Sequence, residues 1–479
     1  MFTRQISFSF LLFLLLFFGV SIGYADLPRV VEPTTQINTS DTDADALDSL
    51  MGDFDSAELS FMQINSKHEQ DRPSEISGNI SYFNSYTLSS WKPYPGSAPN
   101  EKFWASSKIR ANLKIKYFFS DDLFLKLNGH AFRDNIYEEH GRFKYTQEIL
   151  DEYEDEVRAD EFFIRYSATP SVSITAGKQI VVWGTSDNLR VVDVINPLDN
   201  RELGIDDIEN IRLASNMLKV DAQMDDWMLS GMIITEAEPD QDPVYGSPYF
   251  VFSQQLPAFK SPKSERDKHA FEYALSLSRK VLDIDIHGYL ASIYNNQAHL
   301  ELDLLTGNVR RHLAKLDMLG FTGTTGRGNW IYKSEFAYFK GLKFLNSQDA
   351  EFIRSDVMLG LEYYGLTNAS LAIEAAYKKI SNFKNILENS PEMPQESEQN
   401  FAIRFNGDYL HNSLHILVLA MASGPVGKDG NIIRLSADYD IRDSVTLTLG
   451  GVLFGGGESL LFQQLSGNDQ IFAKAKFSF

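Results

Sequence analysis

The chain of 479 residues has no cysteine. That absence excludes a disulfide framework, a thiolate zinc site, an iron–sulfur cluster, a cysteine nucleophile and a lipoprotein anchor. Basic side chains are few, 44 against 65 acidic ones. The resulting net charge of −21 has the wrong sign for a nucleic-acid partner, whose phosphates need a basic surface. Long apolar runs are missing too. Beyond residue 25, no window approaches the roughly 18 consecutive apolar positions that a membrane-crossing helix needs. Catalytic patterns are equally scarce. The nine histidines include no HExxH, no GxSxG is present, and the His411-Asn412-Ser413 spacing falls in a tight turn. No catalytic residue, metal ligand or cofactor is expected. The acidic run Asp151, Glu152, Glu154, Asp155 and Glu156 lacks the spaced ligands and glycine of a calcium loop, and reads as a solvated charge run.

What is present begins with export. Arg4 precedes an apolar stretch at residues 10–20, and Gly23 and Ala25 place small residues before a cleavage point at Asp26. This is the pattern of a cleaved signal peptide. The expected division is a signal peptide at 1–25, an acidic periplasmic leader at 26–75 and a main body at 76–479. Acidity is concentrated. Residues 26–75 hold 12 acids and 3 bases, and residues 134–161 hold 11 acids and 3 bases.

In the main body the dominant period is two. Ile109, Ala111, Leu113, Ile115 and Tyr117 alternate with Lys108, Arg110, Asn112, Lys114 and Lys116. Leu123, Leu125, Leu127, Gly129 and Ala131 alternate with Lys126, Asn128 and His130. Trp330, Tyr332, Ser334, Phe336 and Tyr338 stand against Lys333 and Glu335, and Ile433, Leu435, Ala437, Tyr439 and Ile441 against Arg434, Ser436 and Asp438. Such alternation marks strands with one apolar and one polar face. About 18 segments are expected (16 is the alternative), beginning near 76, 108, 122, 157, 171, 210, 226, 269, 282, 309, 328, 354, 369, 400, 413, 431, 443 and 470. Tight links such as Ser120-Asp121-Asp122, Asp225-Asp226 and Arg442-Asp443 alternate with long polar stretches at 135–156, 185–209 and 236–268. One rim of short turns and one of long loops is the wiring of an outer-membrane antiparallel β-barrel, with short periplasmic turns and long extracellular loops. A soluble sandwich or propeller predicts no such alternation. The last strand alternates Ile471, Ala473, Ala475, Phe477 and Phe479 with polar partners and stops on Phe, which resembles the signal read by the outer-membrane barrel assembly machinery.

Three features could carry function. In the leader, Leu47, Leu50, Met51 and Phe54 fall at i, i+3, i+4 and i+7, the spacing of a short amphipathic helix. It reads either as a contact for a partner, as a plug for the lumen, or as a disordered acidic leader with accidental spacing. Facing the lumen, Lys108, Arg110, Lys114, Lys116, Lys126 and His130 form a basic face, and Lys333, Glu335, Glu362, Glu374, Arg434, Asp408, Asp438 and Asp440 also point inward. Rings of lumen charge set ion selectivity, whereas pairing between neighbouring strands would make the same residues simple lumen filling. Basic and acidic walls on opposite sides are expected. Finally, the loop at 185–209 holds Leu189, Val191, Val192, Val194, Ile195, Leu198 and Leu203, too many aliphatic side chains for free water. It is expected to fold into the mouth as a constriction, with Asp193, Asn196, Asp199, Arg201 and Glu202 at the passage; a surface cap is the alternative.

The segment at 177–218, with "GKQIVVWG", "DVINPLDNRE" and "IDDIENIRLASNMLK", resembles a family of uncharacterised proteobacterial outer-membrane proteins, the domain-of-unknown-function 1302 family. The leader "LDSLMGDFD" is similar to that of many members. The resemblance implies an outer-membrane barrel in a Gram-negative bacterium, often associated with an inner-membrane exporter of the resistance-nodulation-division type and with hydrophobic cargo. It supplies no catalytic residues. The leading expectation is a porin-like channel for small molecules, surrounded by outer-membrane lipid and lipopolysaccharide. The alternatives are a conduit receiving hydrophobic or lipid-like cargo from an exporter, and a structural surface protein.

The leader separates the first two. Under the conduit reading, changing Leu47, Leu50 and Phe54 to Asp abolishes export in cells while the barrel still folds, because a helix without an apolar face cannot dock. Under the channel reading, the barrel conducts in planar bilayers with its leader removed.

Overall fold

The structure is a computed structural model and describes residues 74–88, 104–206, 210–247, 249–250, 271–302, 309–345, 350–384, 387–388, 390 and 394–479. The signal segment and the leader helix (Leu47, Leu50, Met51, Phe54) lie outside the described residues.

The alternating segments form strands β1 (Ser74–Thr87), β2 (Trp104–Ser120), β3 (Leu123–Asp134), β4 (Asp155–Thr169), β5 (Val172–Gln179), β6 (Ser215–Met224) and β7 (Trp227–Ile234). Next come β8 (Glu272–Val281), β9 (Ile284–Tyr294), β10 (His299–Leu302), β11 (Val309–His312), β12 (Lys315–Arg327) and β13 (Trp330–Leu342). The chain ends with β14 (Phe352–Leu366), β15 (Ala369–Ile380), β16 (Ser397–Tyr409), β17 (Leu414–Ser423), β18 (Gly430–Arg442), β19 (Val445–Gly455) and β20 (Gln470–Ser478). All except β10 and β11 belong to one antiparallel sheet of 18 strands. Successive strands pair, β9 pairs with β12, and β1 pairs with β20, so the sheet closes on itself. The barrel has the 18 strands expected, not the alternative 16.

Two expected starts move. The segment near 309 is half of a loop ribbon, β10 with β11, and the wall resumes at Lys315. A period of two does not say which strand will be the partner. The segment near 210 joins the wall only at Ser215, because Ile211 and Leu213 exchange backbone hydrogen bonds with Asp199 and Pro197 of the preceding loop instead.

Side-chain direction follows the alternation. Outward positions carry Leu275, Leu277, Ile286, Leu290, Phe321, Val357, Leu359 and Ile403, all exposed. A continuous apolar exterior is untenable in water and is the lipid-facing band of a transmembrane barrel. Tyr117, Tyr166, Trp227, Trp330, Tyr439 and Phe477 stand exposed near the turn rim, and Trp104, Tyr273, Tyr377 and Phe401 near the loop rim. These are the two aromatic girdles that mark membrane interfaces.

Closure involves the last residue. The Gly78 N–H donates to the Phe479 carbonyl and the Phe479 N–H to the Gly78 carbonyl, both at 2.9 Å. The Phe479 ring lies over Gly78, where an added Cβ would stand 2.7 Å from the ring and 2.6 Å from the Asn112 carbonyl oxygen. Replacing Phe477 and Phe479 with Ser keeps the backbone pairs but removes two lipid-facing rings, each stabilising by about 1.5–3 kcal/mol. The expected outcome is loss of heat-modifiable barrel from the outer membrane; normal levels would deny the aromatic end a role in assembly.

Candidate functional site

The site is built by the loop at 180–214, which enters the lumen from β5 and leaves into β6. Its first half is apolar. Val181, Trp183, Leu189, Val191, Val192 and Ile195 are buried against inward side chains of β6 to β16, among them Met217, Met232, Ile234, Tyr289, Met318, Phe339 and Met358. An 18-stranded barrel is too wide for wall side chains to fill, so this sector is dry because the loop occupies it. Val194 packs on the same cluster, and Leu203 on a second one.

Two carboxylates hold the loop by its backbone. Glu335 accepts the N–H groups of Thr185, Ser186 (2.8 Å) and Val192 (3.3 Å). Glu374 accepts those of Asp187 (2.9 Å), Asn188 (3.1 Å) and Leu189 (3.0 Å). Gly184, at φ +94°, makes the bend that lets the chain pass between Glu335 and Val192; a Cβ there would lie 2.6 Å from the carboxylate. Lys333 completes the anchor, bonded to Asp187 at 2.8 Å and Glu362 at 2.5 Å. Both Lys333 and Glu335 are only 3% exposed. They point inward and meet the loop.

The loop residues expected at the passage are also engaged. Asp193 is buried between Arg190 and Arg212, each at 2.9 Å. The Asn196 side chain, 1% exposed, accepts the Val181 N–H and donates to the Gln179 and Leu213 carbonyls, knotting the two ends of the loop together. Asp199 and Glu202 pair with the basic face. Glu202 binds Lys108 at 2.8 Å, Asp199 binds Arg158 at 3.4 Å, and Arg201 reaches Asp199 at 2.6 Å and Glu156 at 2.9 Å. His130 meets Asp160 at 2.7 Å. The acidic run is therefore not solvated throughout. Glu152 and Glu156 serve Arg201, and Glu154, 3% exposed, binds Arg142. A short strand-like contact pairs Leu198 with Arg212 and Asp199 with Gln241. Next to it Asp240 accepts the Leu198 N–H at 2.7 Å; burial pushes its carboxyl up to about 6 despite that bond. A third arc closes the circle: Leu203 and Ile205 pack with Val452, Phe454, Phe472 and Phe83, and Gly204 approaches Val452. One loop thus touches the wall in three sectors.

Below the loop, toward the turn rim, the wall stays polar. Arg110, Lys114, Lys116 and Lys126 lie on the inward face of β2 and β3, and Lys126 pairs with Glu161 at 2.6 Å. Lys474 and Lys476 on β20 extend this face; register places them opposite Phe83 and Ser81, themselves opposite Lys108 and Arg110. Their alternation with apolar residues in the terminal strand was the signal for them. Arg434 and Asp438 face inward on β18, and Asp408, His415 and Asp440 form a patch, with His415 2.5 Å from Asp408 and 3.5 Å from Asp440. The acidic patch thus lies on β16 to β18, beside the basic face that begins at β20, and not opposite it. Of the other expected acids, Glu335, Glu362 and Glu374 belong to the loop anchor. In the turn after β16, Ser413 donates its hydroxyl to the Leu410 carbonyl at 2.6 Å, a turn contact.

A membrane-spanning barrel with one loop anchored across its lumen is the class that fold and site define. The chain belongs to the family described as "Protein of unknown function (DUF1302)", whose model matches residues 33–479. No functionally curated protein matches it. Among solved structures, it is similar to Acinetobacter baumannii OccAB3, with 10% identity, a TM-score of 0.49, and coverage of 85% of this chain and 99% of that one. A BenF-like porin from Pseudomonas fluorescens Pf-5 matches with 11% identity and a TM-score of 0.49, over 85% of this chain and 98% of that one. The outer membrane protein opdK from Pseudomonas aeruginosa matches with 9% identity and a TM-score of 0.48, over 85% and 99%.

The anchor can be tested because the chain has no cysteine of its own. An added Cβ at Gly320 lies 3.1 Å from Val192 Cγ1, within disulfide reach. Removing a buried carboxylate leaves its backbone N–H partners unsatisfied, at a cost of about 1–3 kcal/mol each. Glu335→Ala with Glu374→Ala should therefore raise single-channel conductance, and adding Val192→Cys with Gly320→Cys under oxidation should lower it again. Conductance indifferent to both changes would show that the loop does not limit the passage.

Proposed function

We propose that this chain is a channel of the Gram-negative outer membrane that passes small anionic molecules, narrowed by its inward loop. The observation that carries this reading is the unneutralised basic face. Lys114, Lys116, Lys474 and Lys476 face the lumen, and among the described residues none has a carboxylate within salt-bridge distance. Lys116 and Lys126 stand directly opposite one another on neighbouring strands. Like charges in that position destabilise a sheet; Glu161 neutralises Lys126, and a passing anion supplies the partner that Lys116 lacks. The contrast with the chain's net charge of −21 supports the same reading, because the acids collect elsewhere while the cations collect here.

A second reading, a conduit for apolar cargo handed over by an inner-membrane exporter, is favoured by one observation. The wall behind the loop is apolar (Met217, Met232, Met318, Phe339, Met358), so a displaced loop would expose a greasy sector.

Reversal potentials in a potassium chloride gradient test the first reading. Wild type should favour chloride, and Lys114→Glu, Lys116→Glu, Lys474→Glu and Lys476→Glu combined should reverse the preference. The effect should shrink as ionic strength rises and the Debye length falls from about 10 Å at 0.1 M toward 3 Å at 1 M. Cation preference in wild type would sink the reading.

A further inference from the structure

The lumen face of β2, β3 and β4 near the turn rim carries more than charge. Register sets two rows across these strands and β5. One row is Lys116, Lys126, Phe163 and Gly177, and the next, nearer the turns, is Phe118, Phe124, Arg165 and Thr175. Three cations and three rings thus share one patch, the two lysines beside Phe163 in the first row and the other two rings beside Arg165 in the second. The outward neighbours Tyr117, Phe119, Phe162 and Ile164 are exposed to lipid, which places this second set of rings on the opposite, lumen side.

The rings touch in sequence. Phe118 and Phe124 have centroids 5.9 Å apart, and Phe124 and Phe163 6.3 Å, so they form one continuous shelf. Lys116 sits over Phe118 at 4.6 Å and Phe124 at 5.1 Å, and Lys126 over Phe163 at 5.5 Å. None of the three rings is fully buried. At the outer end of the shelf, Gly177 faces Phe163 at φ +129°; a Cβ there would lie 2.8 Å from the Phe163 backbone. Glycine at this position lets β5 pack closely against the backbone that carries the Phe163 ring.

Partly exposed rings on the wet wall of a barrel forfeit apolar burial unless something covers them. Ammonium groups beside them draw an anion to the same place, and their own contact with the rings positions them at the shelf. We infer that Phe118, Phe124 and Phe163 with Lys116 and Lys126 form a binding shelf for organic anions that carry a flat apolar ring. The ring lies on the phenylalanines and the carboxylate on the lysines. This inference rests on the anion-channel reading and names its substrate class.

The test is fluorine NMR on the full-length, detergent-solubilised protein, with 4-fluorobenzoate and trifluoroacetate as probes. Binding needs no conduction, so the measurement is separate from the selectivity experiment. 4-Fluorobenzoate should bind about tenfold tighter than trifluoroacetate, the scale expected of one or two ring contacts. Phe124→Leu, which keeps apolar volume and therefore the fold, should remove most of that preference while leaving the reversal potential unchanged. Lys116→Gln with Lys126→Gln should weaken both probes. Equal affinity for the two probes in wild type, or an undiminished preference in Phe124→Leu and in a Phe118→Ser, Phe124→Ser, Phe163→Ser variant, overturns the shelf. If that happens while chloride selectivity persists, the anion channel stands without it. A cation-selective wild type that still prefers 4-fluorobenzoate would instead sink the channel reading and keep the shelf.

Discussion

Every backbone polar group that enters hydrocarbon must find a partner inside the protein, and an open strand edge cannot. The rest of this molecule depends on β1 meeting β20. That pairing runs from Asn79–Ser478 to Thr87–Gln470 and is extended by the mutual bonds of Gly78 and Phe479. Once 18 strands are committed to one ring, the width of the lumen follows. Half of all strand side chains then face a space that they cannot fill. Water must fill it, or chain must.

This protein uses both. Over β6 to β16 the inward residues include one continuous apolar cluster, and the loop at 180–214 supplies its packing partners. A loop placed there loses the water that would hydrate its N–H groups, and each unpaired group costs several kcal/mol. Glu335 and Glu374 replace that water, each accepting three backbone N–H bonds at the bend following Gly184. Their role is fixed by what the loop lacks. Over β2 to β4 the wall near the loop rim is charged, and there the loop presents Asp199, Arg201 and Glu202 to charged partners, while Leu203 and Ile205 pack on Phe83 of β1 and Phe472 of β20. The match between wall sector and loop segment, apolar to apolar and charged to charged, holds the loop in one register.

The charge pattern gains meaning from this division. Cations level with the loop, such as Lys108, are neutralised by it. Cations nearer the turn rim have no such cover, and there Lys114, Lys116, Lys474 and Lys476 meet the lumen. The same residue type on the same strand thus takes two roles a few residues apart, structural at Lys108 and accessible at Lys114.

The sequence by itself determined the strand number, the alternation of turns and loops, and which face each wall residue presents, because a period of two and a lipid exterior leave little freedom. It also marked 185–209 as a loop unable to remain in water, since seven aliphatic side chains must be covered by something. It did not determine what inward residues would meet. Glu335 and Asp438 have the same alternation and chemistry in the sequence, yet one anchors a loop and the other stands nearer the turn rim on β18. The pairing of Asp193 with Arg212, and of Glu202 with Lys108, joins residues 19 and 94 positions apart. Local periodicity carries no information about such contacts. They exist only because barrel closure brings β2, β13 and β15 around one loop, and that arrangement belongs to the tertiary structure alone.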